Sequence, residues 1–206
     1  MTDKTNEGGR GTSKKLVLTA LVLGLVGIIA GVGTWSAFTA TTANAGNSFT
    51  SGSVILTDDD LGVAMLSLTN AKPADTDSSC INVTYTGTLP ATVRMYGTTS
   101  GTGLDPYLNV TVTRGTIAVP AFDTCAGFVA DLTNYTGAGA GVVYDGTLAA
   151  FPDSYAAGIV DPTSGSPESW TNPESHAYRI TVTVADDDLA QGKNTTQTFT
   201  WEARNS

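Results

Sequence analysis

Histidine is nearly absent from this sequence of 206 residues, since it occurs once, at His176. Hydrolytic zinc sites normally use histidine ligands, as in the HExxH motif, and Glu174 together with His176 does not make such a site. A serine triad would need this same histidine as its base, and no GxSxG motif is present. We therefore predict that the protein is not an enzyme and that His176 is a surface or edge residue.

Positive charge is missing from most of the chain. Residues 1–36 contain four basic and two acidic side chains, whereas residues 37–206 contain six basic and 17 acidic ones, a net charge near −11. Nucleic acids and anionic membranes bind positive surfaces, so this charge argues against either as a partner. It suits a protein at the cell exterior that meets divalent cations.

Long apolar runs are also lacking, except for one at residues 16–32, which follows Lys14 and Lys15 and precedes small residues. A positive flank, an apolar run and small residues, in this order, are typical of a secretory signal. As a helix the run would span roughly 25 Å, just short of a bilayer core. The sequence therefore predicts a secreted, extracellular or cell-surface protein with residues 1–36 as its signal peptide.

Cleavage by a signal peptidase is expected between Ser36 and Ala37, because small residues stand at positions −3 and −1 of that cut. Cuts after Ala37, Ala43 or Ala45 are also compatible with the sequence. The alternative is an uncleaved anchor, in which case the signal segment alone would attach the protein to a membrane.

Cysteine occurs twice, at Cys80 and Cys125. In an exported protein this favours a disulfide, which would close a loop of about 45 residues and stabilise the fold by roughly 3–4 kcal/mol. Two separate buried thiols are the alternative. Cysteine catalysis would require a free thiol, which the bridge removes.

Lysine and glutamate are scarce after residue 36, whereas Thr, Val, Ala, Gly and Ser are common. β-Branched residues that alternate with polar ones predict strands with one buried and one wet face, as in antiparallel sheets. We predict an all-β, antiparallel two-sheet sandwich over residues 48–206, with seven or eight strands. The clearest candidates are 48–57, 65–68, 80–86, 92–96, 107–112, 176–185 and 195–203.

Residues 115–175 break this regularity, and we expect an irregular insertion there. It contains a candidate strand or helix at 122–132, a short strand at 142–144, a helix or edge strand at 149–159 and a loop at 161–173. Trp170 lies in that loop. Because aromatic side chains are usually buried, we expect it to anchor the loop on the sheet rather than to form an exposed contact.

Four segments of the chain stand out as motifs. They are GTWSAF at 33–38, NSFTSGSVIL at 47–56, MLSLTNAKPAD at 65–75 and TFTWEA at 198–203. Together they resemble the TasA/camelysin family of secreted proteins. The resemblance covers residues 24–96 and 176–203 and is absent over 115–175. It implies a jelly-roll domain, processing by a dedicated signal peptidase, and extracellular fibres of biofilm matrices in which the N-terminal segment of one subunit adds a strand to the next.

Residues 37–47 would be the donor segment of such a fibre. Small residues permit close backbone pairing, and Phe38 would fill a pocket on the acceptor. The donor strand would consist of Ala37, Phe38, Thr39, Ala40, Thr41 and Thr42. The sequence therefore predicts a structural subunit that forms a head-to-tail homo-oligomer.

Alternatives to the fibre remain open at this point. Residues 37–46 could be a disordered tail. The protein could then be a monomeric secreted surface-binding module, or a camelysin-like protease, because a fold does not determine a function.

Two acidic runs stand at predicted strand ends and are candidate calcium ligands, since calcium prefers carboxylate and carbonyl oxygens. They consist of Asp58, Asp59 and Asp60, and of Asp186, Asp187 and Asp188. Neither run has EF-hand spacing, and solvated turns are the other interpretation.

Overall fold

The computed structural model of this protein describes residues 39–42, 52–163 and 166–205. Contacts divide the chain into Met1–Ala37 and Phe38–Ser206, and everything described below belongs to the second unit. In the described part of the chain, no helix is long and apolar enough to cross a membrane.

The described residues form antiparallel strands joined by turns and three short 3₁₀ helices. The strands are β1 (Thr39–Thr42), β2 (Leu56–Asp58), β3 (Thr76–Tyr85), β4 (Ala91–Gly101), β5 (Leu108–Ile117), β6 (Phe128–Ala130), β7 (Val142–Thr147), β8 (Ile159–Val160), β9 (Pro162–Thr163), β10 (Ser166–Pro167), β11 (Glu174–Val184) and β12 (Thr195–Asn205). The 3₁₀ helices are Asp105–Tyr107, Leu148–Ala150 and Asp188–Ala190.

The long strands form two antiparallel sheets, which confirms the predicted two-sheet sandwich. Sheet I has the order β1-β12-β4-β8, and sheet II has the order β2-β3-β11-β5-β6 with β7 also paired to β5. The pairs β1–β12, β3–β11, β4–β8 and β5–β7 are nested in chain order, outermost to innermost. Successive nested pairs belong to alternate sheets, as if one long hairpin had been folded over, and this is the jelly-roll arrangement.

Alternation along the strands builds the core, as the sequence predicts. Ile81, Val83 and Tyr85 of β3 are buried, whereas Asn82 and Thr84 between them are only partly covered. A strand places successive side chains on opposite faces, so each apolar row faces the other sheet. Other large buried apolar side chains include Val93, Met95, Val110, Val112, Tyr178, Ile180, Val182, Val184, Trp170 and Trp201.

One prediction about the elements is corrected. Residues 65–68 do not form a strand; Met65, Leu66 and Leu68 pack, partly buried, against the core without a pairing partner among the described strands. Within the region predicted to be irregular, the short strand expected at 142–144 is confirmed as part of β7, and β7 and β8 complete the nested pairs.

The predicted disulfide is confirmed. Cys80 on β3 is bonded to Cys125, and the two residues are 45 positions apart in the sequence. Beside it, the hydroxyl of Ser79 donates to Oδ1 of Asp123 at 3.0 Å. The bridge attaches the loop between β5 and β6 to the long strand β3.

Candidate functional site

The N-terminal strand β1 lies at the edge of sheet I. It pairs antiparallel with β12 from Thr39 opposite Arg204 to Thr42 opposite Trp201. Among the described strands β12 is its only partner, whereas β12 also pairs with β4 along its whole length. The short strand β1 is therefore hydrogen-bonded along one edge only among the described strands. Its acceptor strand, β12, is held in the sheet by β4, a contact that does not involve β1.

Side chains of β12 keep this acceptor strand in place from the β4 side. Trp201 and Ala203 are buried in the core. Between them, Glu202 accepts hydrogen bonds from the hydroxyl of Tyr96 at 2.7 Å and from Nε of Arg204 at 2.8 Å. Burial and the bond to Glu202 raise the pKa of Tyr96 to about 12. Tyr96 thus keeps its proton and remains a donor to Glu202 at ordinary pH.

A second site lies between the sheets around a buried arginine. Arg114 continues the inward row of β5 formed by Leu108, Val110 and Val112, and it is 6% exposed. Its N–H donates to the carbonyl of Gly141 at 2.7 Å. Gly141 has φ +73, and a Cβ atom there would lie 2.5 Å from the Arg114 carbonyl oxygen, so glycine is needed for this approach.

Three carboxylates contact this guanidinium, and a fourth lies beyond His176. Nη1 is paired with Asp131 and Nη2 with Glu168, while Nη2 also lies 3.2 Å from Oδ2 of Asp161. Nε lies 2.5 Å from Oδ1 of Asp161 without the alignment of a hydrogen bond, so that contact is an ion pair. The fourth carboxylate, Glu174, reaches the site through His176. We refer to Arg114, Asp131, Asp161, Glu168, Glu174 and His176 as the Arg114 cluster.

Asp161 joins the two sheets within this cluster. Its backbone N–H donates to the carbonyl of Val93 in sheet I at 3.1 Å. Its carboxylate accepts from the indole of Trp170 at 2.7 Å and from the hydroxyl of Tyr178 in sheet II at 3.0 Å. These donors and Arg114 compensate the charge of a carboxylate that is almost fully buried.

His176 is not the surface or edge residue that the sequence predicts. Its side chain is 13% exposed, on the central strand β11, with its ring edge-on to Trp170. Nε2 lies 3.0 Å from Nη2 of Arg114 and 3.0 Å from Oε1 of Glu174. Arginine can only donate and a carboxylate can only accept, so the position of one proton decides which contact is a hydrogen bond.

The sequence contains a signal for this cluster. Residues 174 and 176 have the same parity as the buried residues 178, 180, 182 and 184 of β11. Arg114 likewise follows the buried even-numbered residues of β5. Continuing the period of two would have placed all three side chains inside the sandwich.

The cluster has the side-chain composition of a metal site, but the Arg114 guanidinium lies at its centre. Ligand atoms of Asp161, Glu168 and His176 lie within 4.8 Å of one another. However, Nη2 of Arg114 is in contact with all three side chains. The guanidinium therefore fills the position that a cation would need, and it supplies the positive charge there.

The pKa values in the cluster are shifted by burial and by the excess of carboxylates. Burial raises the pKa of Glu168 to about 7, and repulsion by Asp161 and Glu174 adds to this, although Arg114 acts in the opposite direction. Burial and the Asp161 charge also raise the pKa of Tyr178 well above its usual value. Burial alone would lower the pKa of Arg114, but the Asp161 carboxylate more than offsets this and keeps the guanidinium charged.

Side chains of both acidic runs accept backbone hydrogen bonds, from β3 in one case and from local turns in two others. Asp59 accepts the N–H of Asn82 at 2.9 Å, and Asp60 accepts the N–H of Gly62 at 2.8 Å. Asp187 caps the third 3₁₀ helix by accepting from Leu189 at 2.8 Å. Burial, followed by repulsion from Asp60, raises the pKa of Asp58 to about 6. Calcium binding at Asp58–Asp59–Asp60 or at Asp186–Asp187–Asp188 stays a prediction, which calorimetric titration with Ca²⁺ would test.

Fold and sites together define a disulfide-linked jelly-roll β-sandwich, and such a bridge is typical of proteins outside the cytoplasm. Comparison with protein-family models and with characterised proteins finds no match. The resemblance to the TasA/camelysin family therefore stays a prediction. The signal peptide, the cleavage site at Ser36 and Ala37, and the donor residue Phe38 lie outside the described residues.

Proposed function

We propose that this protein is a secreted structural subunit of an extracellular or cell-surface filament. In this filament the N-terminal strand of one subunit pairs with β12 of the next. The observation that carries the proposal is the attachment of β1, a four-residue edge strand paired to β12 in its own chain. A strand in this position can be replaced by the same strand of another copy.

Exchange between copies would conserve the contacts. The rungs from Thr39–Arg204 to Thr42–Trp201 form equally well within one chain or between two, because the sequences are identical. Residues 43–55 link β1 to β2 and determine how far the strand reaches. The free-energy difference between the two arrangements is then small, so concentration and release of the N-terminus decide which one forms.

The direction of the contact favours a filament. Each subunit offers β1 as donor and the edge of β12 as acceptor, and these are different surfaces. Such heterologous contacts extend head to tail unless their rotation closes a ring. β12 remains paired with β4 over Thr195–Asn205, so its edge would persist as a template when β1 leaves. The disulfide agrees with assembly outside the cytoplasm.

The direct test uses a chain that begins at Ala37 and one that lacks residues 37–46. We expect filaments in electron micrographs of the first and none of the second. Filaments that persist without residues 37–46 would refute strand addition. Circular dichroism and the intact Cys80–Cys125 bridge would show that the shortened chain is still folded.

Cysteine cross-linking distinguishes exchange from simple aggregation. A Thr39→Cys chain is mixed with an Arg204→Cys chain, since these positions are opposite each other across β1 and β12. Exchange should give a disulfide between chains in the assembled fraction. A Thr198→Cys chain is the matched control, because this exposed position lies about 20 Å further along β12 and should not cross-link.

A stable monomer with no cross-link between chains at any concentration would overturn the filament proposal. It would favour the monomeric surface-binding module instead.

A further inference from the structure

The charges of the Arg114 cluster do not balance. Four carboxylates meet one guanidinium and one imidazole within a largely buried space. Burying an uncompensated charge is unfavourable, so such a group takes up a proton or moves to solvent. The carboxylate with the fewest hydrogen-bond donors is the one expected to do so.

The four carboxylates differ in the number of donors that support them as anions. Asp161 has Arg114, Trp170 and Tyr178. Asp131 accepts from Arg114 and from Tyr135, and Glu174 accepts the N–H of Thr171 and faces His176.

Glu168 has Arg114 as its donor, with His176 further away at 3.6 Å, and its side chain is 23% exposed. It is therefore the carboxylate with the least support as an anion and with a path to water. Once protonated, it can donate a hydrogen bond to the carboxylate of Asp161.

The backbone beside Glu168 is attached to its neighbours by three hydrogen bonds. The N–H of Glu168 donates to the carbonyl of Asp161 at 2.9 Å. Two residues later, Trp170 exchanges two backbone hydrogen bonds with Ala91 of β4, at 2.8 and 3.1 Å. Movement of the Glu168 side chain away from Arg114 would therefore act on the attachment of residues 168–170 to sheet I.

We propose that Glu168 is a proton-operated latch that holds residues 168–170 on the sandwich. The protonated side chain bridges Arg114 and Asp161, and the chain beside it is closed onto β4. The ionised side chain is repelled by Asp161 and Glu174 and turns to solvent, which loosens the Glu168 and Trp170 amides. The proposal does not depend on filament formation.

All charged groups that face Glu168 enter this balance. They are Arg114 from β5, Asp131 from the turn after β6, Asp161 after β8, and Glu174 and His176 from β11. Three of the five are acidic, so their combined effect opposes a negative charge on Glu168. The raised pKa of Glu168, about 7, agrees with this and sets the window near neutral pH.

Amide hydrogen exchange followed by NMR tests the latch. Exchange rates at pH 5.5 and pH 8.5 are divided by the intrinsic rates to give protection factors. We expect the protection of the Glu168 and Trp170 amides to be about tenfold lower at pH 8.5, since local opening is coupled to loss of the proton. Protection of Val182 on β11 serves as the reference for global unfolding.

Two variants decide whether Glu168 is responsible. Glu168→Gln resembles the protonated side chain and should have the same protection at both pH values. Glu174→Gln should keep the pH dependence but shift it to lower pH, because one repelling carboxylate is gone.

Three results would overturn the latch. They are equal protection of the wild-type amides at both pH values, a pH dependence unchanged in Glu168→Gln, and a loss of protection that extends to Val182.

Discussion

Oδ2 of Asp161 accepts a hydrogen bond of 2.7 Å from the indole nitrogen of Trp170, and both residues are buried, at 4% and 0% exposure. This bond joins two positions nine residues apart, on either side of the small hairpin β9–β10. It confirms that Trp170 anchors its loop on the sandwich. It also shows that a buried hydrogen bond, in addition to apolar packing, holds Trp170 in place.

Replacing Trp170 with Phe should destabilise the fold by about 2 kcal/mol, because the smaller ring leaves a cavity and Asp161 loses a buried donor. Guanidinium unfolding monitored by circular dichroism measures the loss. A double-mutant cycle with Asp161→Asn separates the two causes. A coupling free energy near zero between the two substitutions would show that lost packing alone accounts for the destabilisation.

Replacing Arg114 with Met should destabilise the fold by about 3–5 kcal/mol, because several buried carboxylates then lack their cation. Arg179→Met is the matched control. That arginine lies over the ring of Phe128 at 5.0 Å and is only half-buried, so its loss should cost about 1 kcal/mol or less. Similar urea midpoints for the two variants would contradict the structural role of Arg114.

Removing the disulfide with Cys80→Ala and Cys125→Ala should lower the free energy of unfolding by roughly 3–4 kcal/mol, because the bridge restricts the unfolded chain over 45 residues. Wild-type protein unfolded with and without reductant gives the comparison. A midpoint that does not respond to reductant would show that the bridge adds nothing to stability.

Stability should increase on mild acidification. The pKa of Glu168 is raised from 4.5 when unfolded to about 7 when folded, and that of Asp58 from 3.8 to about 6. A carboxyl group with a raised pKa binds its proton more tightly in the fold, so its contribution is complete below the unfolded pKa. That contribution is lost as pH rises through the folded value.

We expect the free energy of unfolding to be about 1 kcal/mol higher at pH 5 than at pH 8, after allowance for solvent screening. Urea titrations at the two pH values measure it, and Glu168→Gln should remove most of the difference. Lower stability at pH 5 than at pH 8 would contradict the assignment.

Much of the sandwich could be predicted, because alternation is a local property. Val93 and Met95 share a face of β4, as do Tyr178 and Ile180 of β11, and their spacing alone shows this. The same pattern was misleading at residues 65–68. Apolar residues there reach the core from an unpaired segment, and spacing does not reveal whether a partner strand is present.

The sequence by itself determined the all-β class, the main strands with their buried faces and the pairing of two cysteines, since these follow from short-range spacing and from there being only two thiols. The tertiary structure alone decided the nested pairing of strands and the Arg114 cluster. Arg114, Asp161, Glu168 and His176 meet only after β5 pairs with β11 and the chain beyond β8 crosses between the sheets. Contacts over such sequence distances depend on long-range strand pairing, which no local pattern specifies.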